Sequence, residues 1–213
     1  MDERLRVLLT GFESFGGEKL NPSELVVKRI SKKKFDKCVI NILILPVSYE
    51  KSVRILEDYY SKNTVDVAIH LGQAGGRAVI NIERVAVNII DSKNPDNDKK
   101  IIQDRKIIPS GLDAYMTRLD AKKIVELLNK KKIPANISYD AGQYVCNVIY
   151  YFSLHKSYCD KNPKNVLFVH LPFLPQQVCD KYPKNSNIPS MALQLQVKAV
   201  EEILKNIKEL SCE

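Results

Sequence analysis

Short apolar, β-branched runs alternate along this chain with stretches whose apolar residues recur every three or four positions, and this alternation constrains the fold more than any other feature. Leu5 to Leu9 reads as a buried strand that runs into GFESFGG, and Asn21-Pro22-Ser23 offers a helix start. Lys37 to Val47 predicts a second strand, followed by a helix over Tyr49 to Tyr60 with Val53, Leu56 and Tyr60 on one face. A third strand, Val65 to Leu71, ends at GQAGGR, and Val79 to Ile90 continues as one strand-like run with Glu83 and Arg84 inside it. The polar stretch from Asp91 to Ser110 reads as a long surface loop. Beyond it come a helix over Asp120 to Lys131, a strand over Pro134 to Ser138, a helix within DAGQYVCNVIYYFSLH, a strand over Val166 to Leu171 and a helix over Ser190 to Lys208.

Helices that cross between strands must cover both sheet faces, so the pattern predicts an α/β protein, a single three-layer α/β/α domain over residues 1–213. Its twisted sheet is expected to be mostly parallel or mixed, with ligands at the carboxyl ends of the strands.

The formal charge of +8 raises the possibility of a nucleic-acid partner. The lysines, however, fall in short runs at helix ends and loops (Lys32 to Lys34, Lys99 and Lys100, Lys130 to Lys132), with acidic residues between them, and a solvated surface explains that pattern more simply. No apolar run at the start is long enough for a signal or membrane segment. Five cysteines, an odd number without a C-x-x-C pair, argue against a disulfide framework or zinc knuckle and for a reduced, cytoplasmic setting.

Three groups of residues can meet at one sheet edge: GFESFGG, the GQAGGR loop with Glu83 beyond it, and His170 in VLFVHLPFLP. Cys146 lies near a predicted helix start, where unpaired amides and the helix dipole favour a thiolate, so a lowered thiol pKa is expected. Pattern alone leaves the pairing of Cys146 with His170 open, because five cysteines and three histidines allow many pairs. A histidine ending an apolar strand is commonly a satisfied core residue. Glu83, a carboxylate in an apolar run, needs a partner, and Arg77 or Arg84 serves as well as a histidine. The glycines lack a full phosphate-loop pattern and are explained by sharp turns. Phe12 and Phe15 must be covered by the core or by a ligand.

TGFESFGGEKLNPS, VDVAIHLGQAGGRAVINIERVAVNIID, the NPDN turn, SYDAGQYVCNVIYY and FVHLPFLPQQ, in this order and spacing, resemble the pyroglutamyl peptidase type I family over nearly the whole chain. The resemblance implies a cysteine peptidase that hydrolyses the amide bond after an N-terminal pyroglutamyl residue, with a triad of Cys146, His170 and Glu83. It implies that Phe12 and Phe15 sandwich the lactam ring, that Asn21 and Gln73 contact its polar edge, and that Tyr144 and Val145 line the pocket. No metal or organic cofactor is implied, and the partners are a pyroglutamyl-peptide substrate and further copies of the chain in a homotetramer, with no nucleic acid and no membrane.

A site for pyroglutamate, which has no free ammonium, needs apolar walls and a few hydrogen-bonding groups rather than an anionic anchor. Where the family commonly shows Arg-Ile-Pro-Asp-Asn, this chain has Lys93-Asn94-Pro95-Asp96-Asn97, so a wetter pocket is expected. A competing reading is a peptidase-like α/β module that has lost activity and binds nucleic acid through its basic surface.

Overall fold

The computed structural model describes residues 4–181, 183–184 and 187–210. Its strands and helices are, in chain order, β1 (Leu5–Phe12), α1 (Pro22–Ile30), β2 (Cys38–Leu45), α2 (Tyr49–Lys62), β3 (Val67–Gln73), β4 (Ile80–Glu83), β5 (Val85–Val87), β6 (Ala114–Met116), α3 (Ala121–Lys130), β7 (Ala135–Ser138), α4 (Val145–Asp160), β8 (Asn165–Leu171), α5 (Pro175–Cys179), α6 (Leu193–Lys205) and α7 (Ile207–Leu210). Six strands form one sheet in the order β2-β1-β3-β8-β4-β7, and β5 and β6 form a small antiparallel ribbon. β2, β1, β3 and β8 run parallel, whereas β4 is antiparallel to β8 and parallel to β7, so the sheet is mixed and mostly parallel.

Side chains along a strand alternate between sheet faces, and the core divides accordingly. Val7, Leu9, Ile69, Leu71, Ile82, Leu167 and Val169 pack with α1, α3 and α6. Leu8, Phe12, Ala68, Val166 and Phe168 pack with α2 and α4. Parity therefore sends Gly72, Glu83 and His170 to the α4 face. Asn21 caps α1 by accepting from the Ser23 amide, with Pro22 in the first turn, as the sequence indicates. Gly11 lets α1 approach closely, since a Cβ there would lie 2.7 Å from the Ser23 carbonyl oxygen.

Three expectations change. The run from 79 to 90 is two strands: after Glu83 the chain leaves the main sheet, and Val85–Val87 pairs with Ala114–Met116. The last helix breaks at Asn206 into α6 and α7. β6 and α5 lie where no regular element was expected. No helix among the described residues is long and apolar enough to cross a membrane.

Candidate active site

Gly72 on β3 and His170 on β8 are register partners, and the Cys146 sulfur on α4 lies directly above Gly72. A Cβ on Gly72 would come within 2.9 Å of Cys146 Sγ and 2.8 Å of the Phe168 ring, so only glycine lets the helix start settle this close to the sheet. Neighbouring strands are about 4.8 Å apart, which places the histidine one strand away from the residue beneath the sulfur.

His170 Nδ1 lies 2.7 Å from Glu83 Oε1, with both side chains buried. A carboxylate oxygen accepts, so Nδ1 is the donor in this contact. Nε2 makes no bond among the described residues and is the nitrogen available to the sulfur. Glu83 Oε1 also accepts from Arg77 Nη1 at 2.7 Å. Both partners weighed for Glu83, a histidine and a cation, are thus present together, and the cation is Arg77 rather than Arg84. Arg77 further donates to the Asp140 carbonyl at 2.9 Å and to Ser138 Oγ at 3.3 Å, tying the GQAGGR loop to the segment that feeds α4. The Glu83 carbonyl accepts from Tyr150 Oη at 2.8 Å, and Asn147 binds the Val87 amide and the Val87 and Ile89 carbonyls. One turn of α4 beyond Cys146 therefore holds the strand that presents Glu83.

The expected low thiol pKa is not what the site produces. Burial pushes the Cys146 thiol up to about 12 and the Glu83 charge adds to this, while Arg77 and the cysteine's own amide act in the opposite direction. The helix start does favour a thiolate, but losing water outweighs it. Tyr144, the N-cap of α4, makes no side-chain capping bond, and the first amide bonded along the helix is that of Val148, to the Tyr144 carbonyl. The preceding amides at the helix start have no partner within the helix and are suited to a developing oxyanion.

Phe12, Phe15, Asn21, Gln73, Tyr144, Val145 and Cys146 line one slot, joined by Val47, which sequence reasoning missed. All six residues expected to bind substrate are thus brought together with the expected nucleophile. Phe12 belongs to the core and to the slot at once. The slot is narrow, holding about 10 Å³, room for about one water, with the half-buried Phe15 and Tyr144 among its walls. Tyr144 is pinned by its hydroxyl to the Pro95 carbonyl at 2.9 Å and stands edge-on to Tyr49. Lys93 and Asn94 are exposed and do not line the slot, so the expected wetter pocket does not arise through them. A larger cavity, about 880 Å³, runs along the β2 edge by Phe35, Val39 and Ile42 and contains no histidine.

The other histidines have different work. His70 is fully buried, with Nδ1 2.8 Å from Thr10 Oγ1 and Nε2 2.9 Å from Ser153 Oγ, and burial pulls its pKa down to about 3. It is the satisfied core histidine. His155 pairs with Tyr115. Cys38, Cys159 and Cys179 are free and lie outside the slot, and Cys212 falls outside the described residues.

With this cysteine, histidine and carboxylate on a three-layer α/β scaffold, the chain falls in the class of cysteine-type peptidases. The sequence pattern of the family described as pyroglutamyl peptidase matches residues 5–209. The chain is 43% identical to the pyrrolidone-carboxylate peptidase of Pyrococcus furiosus over 197 residues, covering 92% of this chain and 95% of that protein. It is 43% identical to the pyrrolidone-carboxylate peptidase of Thermosipho africanus over 212 residues, covering 96% and 100%. The crystal structure of the pyrrolidone carboxyl peptidase from Fervidobacterium islandicum superposes with a TM-score of 0.95 at 59% identity, covering 97% of this chain and 99% of that one. The chain belongs to the pyroglutamyl peptidase family.

Proposed function

We propose that this chain removes an N-terminal pyroglutamyl residue from peptides through a thioester on Cys146, and that Glu83, His170 and the slot residues Phe12, Phe15, Asn21, Gln73, Tyr144 and Val145 have the roles their positions suggest. The observation that carries this reading is that the slot with aromatic and amide walls opens onto Cys146, beside a His170 whose Nδ1 is bonded to Glu83.

His170 Nε2 takes the Sγ–H proton as the sulfur attacks the pyroglutamyl carbonyl, which fits a thiol whose pKa burial pushes up. The amides at the start of α4 receive the oxyanion. The tetrahedral adduct collapses, the C–N bond breaks, and imidazolium donates its proton to the departing amine. Water, deprotonated by His170, then attacks the thioester and releases pyroglutamate and the thiol. Glu83 orients His170 and stabilises the imidazolium, as a buried carboxylate does in a triad.

The same reading takes residues 1–213 as one catalytic domain acting in the cytoplasm, in keeping with scattered cysteines that are unpaired among the described residues. It also takes the chain as a homo-oligomer, a tetramer by family resemblance, which the exposed Val39 and Ile42 on the edge strand β2 support. The alternative of an inactive nucleic-acid-binding module is not favoured by any specific observation.

Hydrolysis of pyroglutamyl, prolyl and glutaminyl amides carrying a chromogenic leaving group tests the proposal. Release from the pyroglutamyl amide alone is expected; equal rates for all three would overturn it.

A further inference from the structure

The two amide side chains that line the slot can each present either an oxygen or a nitrogen to a ligand, and the bonds behind them decide which. Gln177, on α5 and 2% exposed, fixes the choice for Gln73. Its Oε1 accepts from the Leu174 backbone amide at 3.0 Å, a group that only donates. Its Nε2 faces the Leu20 carbonyl at 3.1 Å and Glu18 Oε2 at 3.3 Å, groups that only accept. Neither end of Gln177 can be exchanged without setting like against like. The third neighbour of Nε2, at 2.8 Å, is the Gln73 side-chain amide, which must therefore turn its oxygen to Gln177. With Gln73 reversed, two NH₂ groups would meet at that distance inside the protein, at the cost of unpaired buried donors. The Glu18 carboxylate is itself held by Lys181.

We infer that Gln177 is a positioning residue for substrate specificity: by holding the Gln73 oxygen, it commits the Gln73 nitrogen to the slot as a donor and so selects a ring bearing a carbonyl. Asn21 has the same polarity for an independent reason, since its Oδ1 is occupied by the Ser23 amide at 3.0 Å and the Ser23 hydroxyl at 2.8 Å, and its Nδ2 donates to the Glu13 carbonyl at 2.9 Å with one proton remaining. Both amides of the slot are donors. A lactam oxygen satisfies them, whereas a proline ring leaves them unpaired, which is the arrangement that discriminates most strongly. This inference rests on the peptidase reading for its substrate, but the polarity of the slot can be tested without turnover.

The test is Gln177→Glu, which keeps the Leu174 bond but replaces the donor facing Gln73 by an acceptor, so that Gln73 reverses and shows its oxygen to the slot. Inhibition by 2-pyrrolidone is expected to weaken by about 10- to 100-fold, while inhibition by cyclopentanol, which can donate to an oxygen, changes less than about three-fold or improves. With pyroglutamyl amide the loss is expected in KM more than in kcat. Equal weakening for both rings would mean a merely structural role and would overturn the inference, as would no change for either. Should Gln177→Glu not fold, the wild-type protein decides: nuclear Overhauser contacts from the Gln73 NH₂ protons to Phe12 or Val145 are expected, and contacts to Gln177 and Leu20 alone would overturn the inference. Wild-type cleavage of pyroglutamyl amide is scored separately, so failure of the peptidase reading is distinguishable from failure of the amide polarity.

Discussion

Gly72→Ala places a single methyl group between the sheet and the helix that carries Cys146. The new Cβ would lie 2.9 Å from Sγ and 2.8 Å from the Phe168 ring, against 3.4 Å or more for ordinary contact. Something must move by at least 0.5 Å on the sulfur side and 0.6 Å on the ring side. Phe168 is wholly buried and its ring packs 4.7 Å from that of His170, so relief on either side alters the spacing of sulfur and imidazole. A misplacement of about 1 Å can cost roughly 100-fold in rate, so half of that predicts a loss near ten-fold in kcat/KM, about 1.4 kcal/mol in the barrier. Overpacking is expected to cost a further ~1–3 kcal/mol of stability. The assay is steady-state hydrolysis of pyroglutamyl amide beside denaturant unfolding of the same preparation. A folded Gly72→Ala variant within about two-fold of wild-type kcat/KM would refute the placement of the sulfur over Gly72 as catalytically meaningful.

Glu83→Gln can offer His170 Nδ1 a donor instead of an acceptor and so favours the wrong tautomer; kcat is expected to fall by about 10²- to 10⁴-fold with KM little changed, and full turnover would remove Glu83 from the mechanism. Arg77→Met removes a cation that works against burial and Glu83 on the Cys146 thiol, so alkylation of Cys146 at a fixed, mildly alkaline pH should slow several-fold, and an unchanged rate would contradict that coupling. His70 has a depressed folded-state pKa, so the stability it contributes is present above about 6.5 and is lost as pH falls toward about 3. In that window it should add a slope of about 1.4 kcal/mol per pH unit. Urea unfolding of His70→Gln should show a flatter acid limb, and an identical limb would place the acid sensitivity elsewhere.

The alternation of strand and helix was legible because burial on both faces leaves long apolar runs, as in β3 and β8, and because parity then sends His170 and Gly72 to one face. The direction of β4 was not, since strand polarity is set by a distant partner and Ile80–Glu83 has the same composition whichever way it runs. Nor was the break after Glu83: β-branched residues continue through Val85 and Val87, and the change of sheet depends on Tyr150 and Asn147 reaching down from α4. Cys146, His170 and Glu83 were one choice among many by pattern, and the family resemblance singled them out. Arg77 was one of two candidate cations for Glu83, and the choice between them, like the role of Gln177, rests on bonds to Glu83 and Gln73 that exist only after folding. The thiol was misjudged for a physical reason, in that a helix start is visible in sequence while the desolvation of a side chain is not.

The central claim is that the acyl group passes through the sulfur at the start of α4. Rapid acid quenching during turnover of pyroglutamyl amide, followed by peptide mapping in the mass spectrometer, tests it directly. A pyroglutamyl adduct on the peptide containing Cys146, absent from Cys146→Ser, is the predicted result; an adduct on another cysteine, or undiminished turnover in Cys146→Ser, would contradict it.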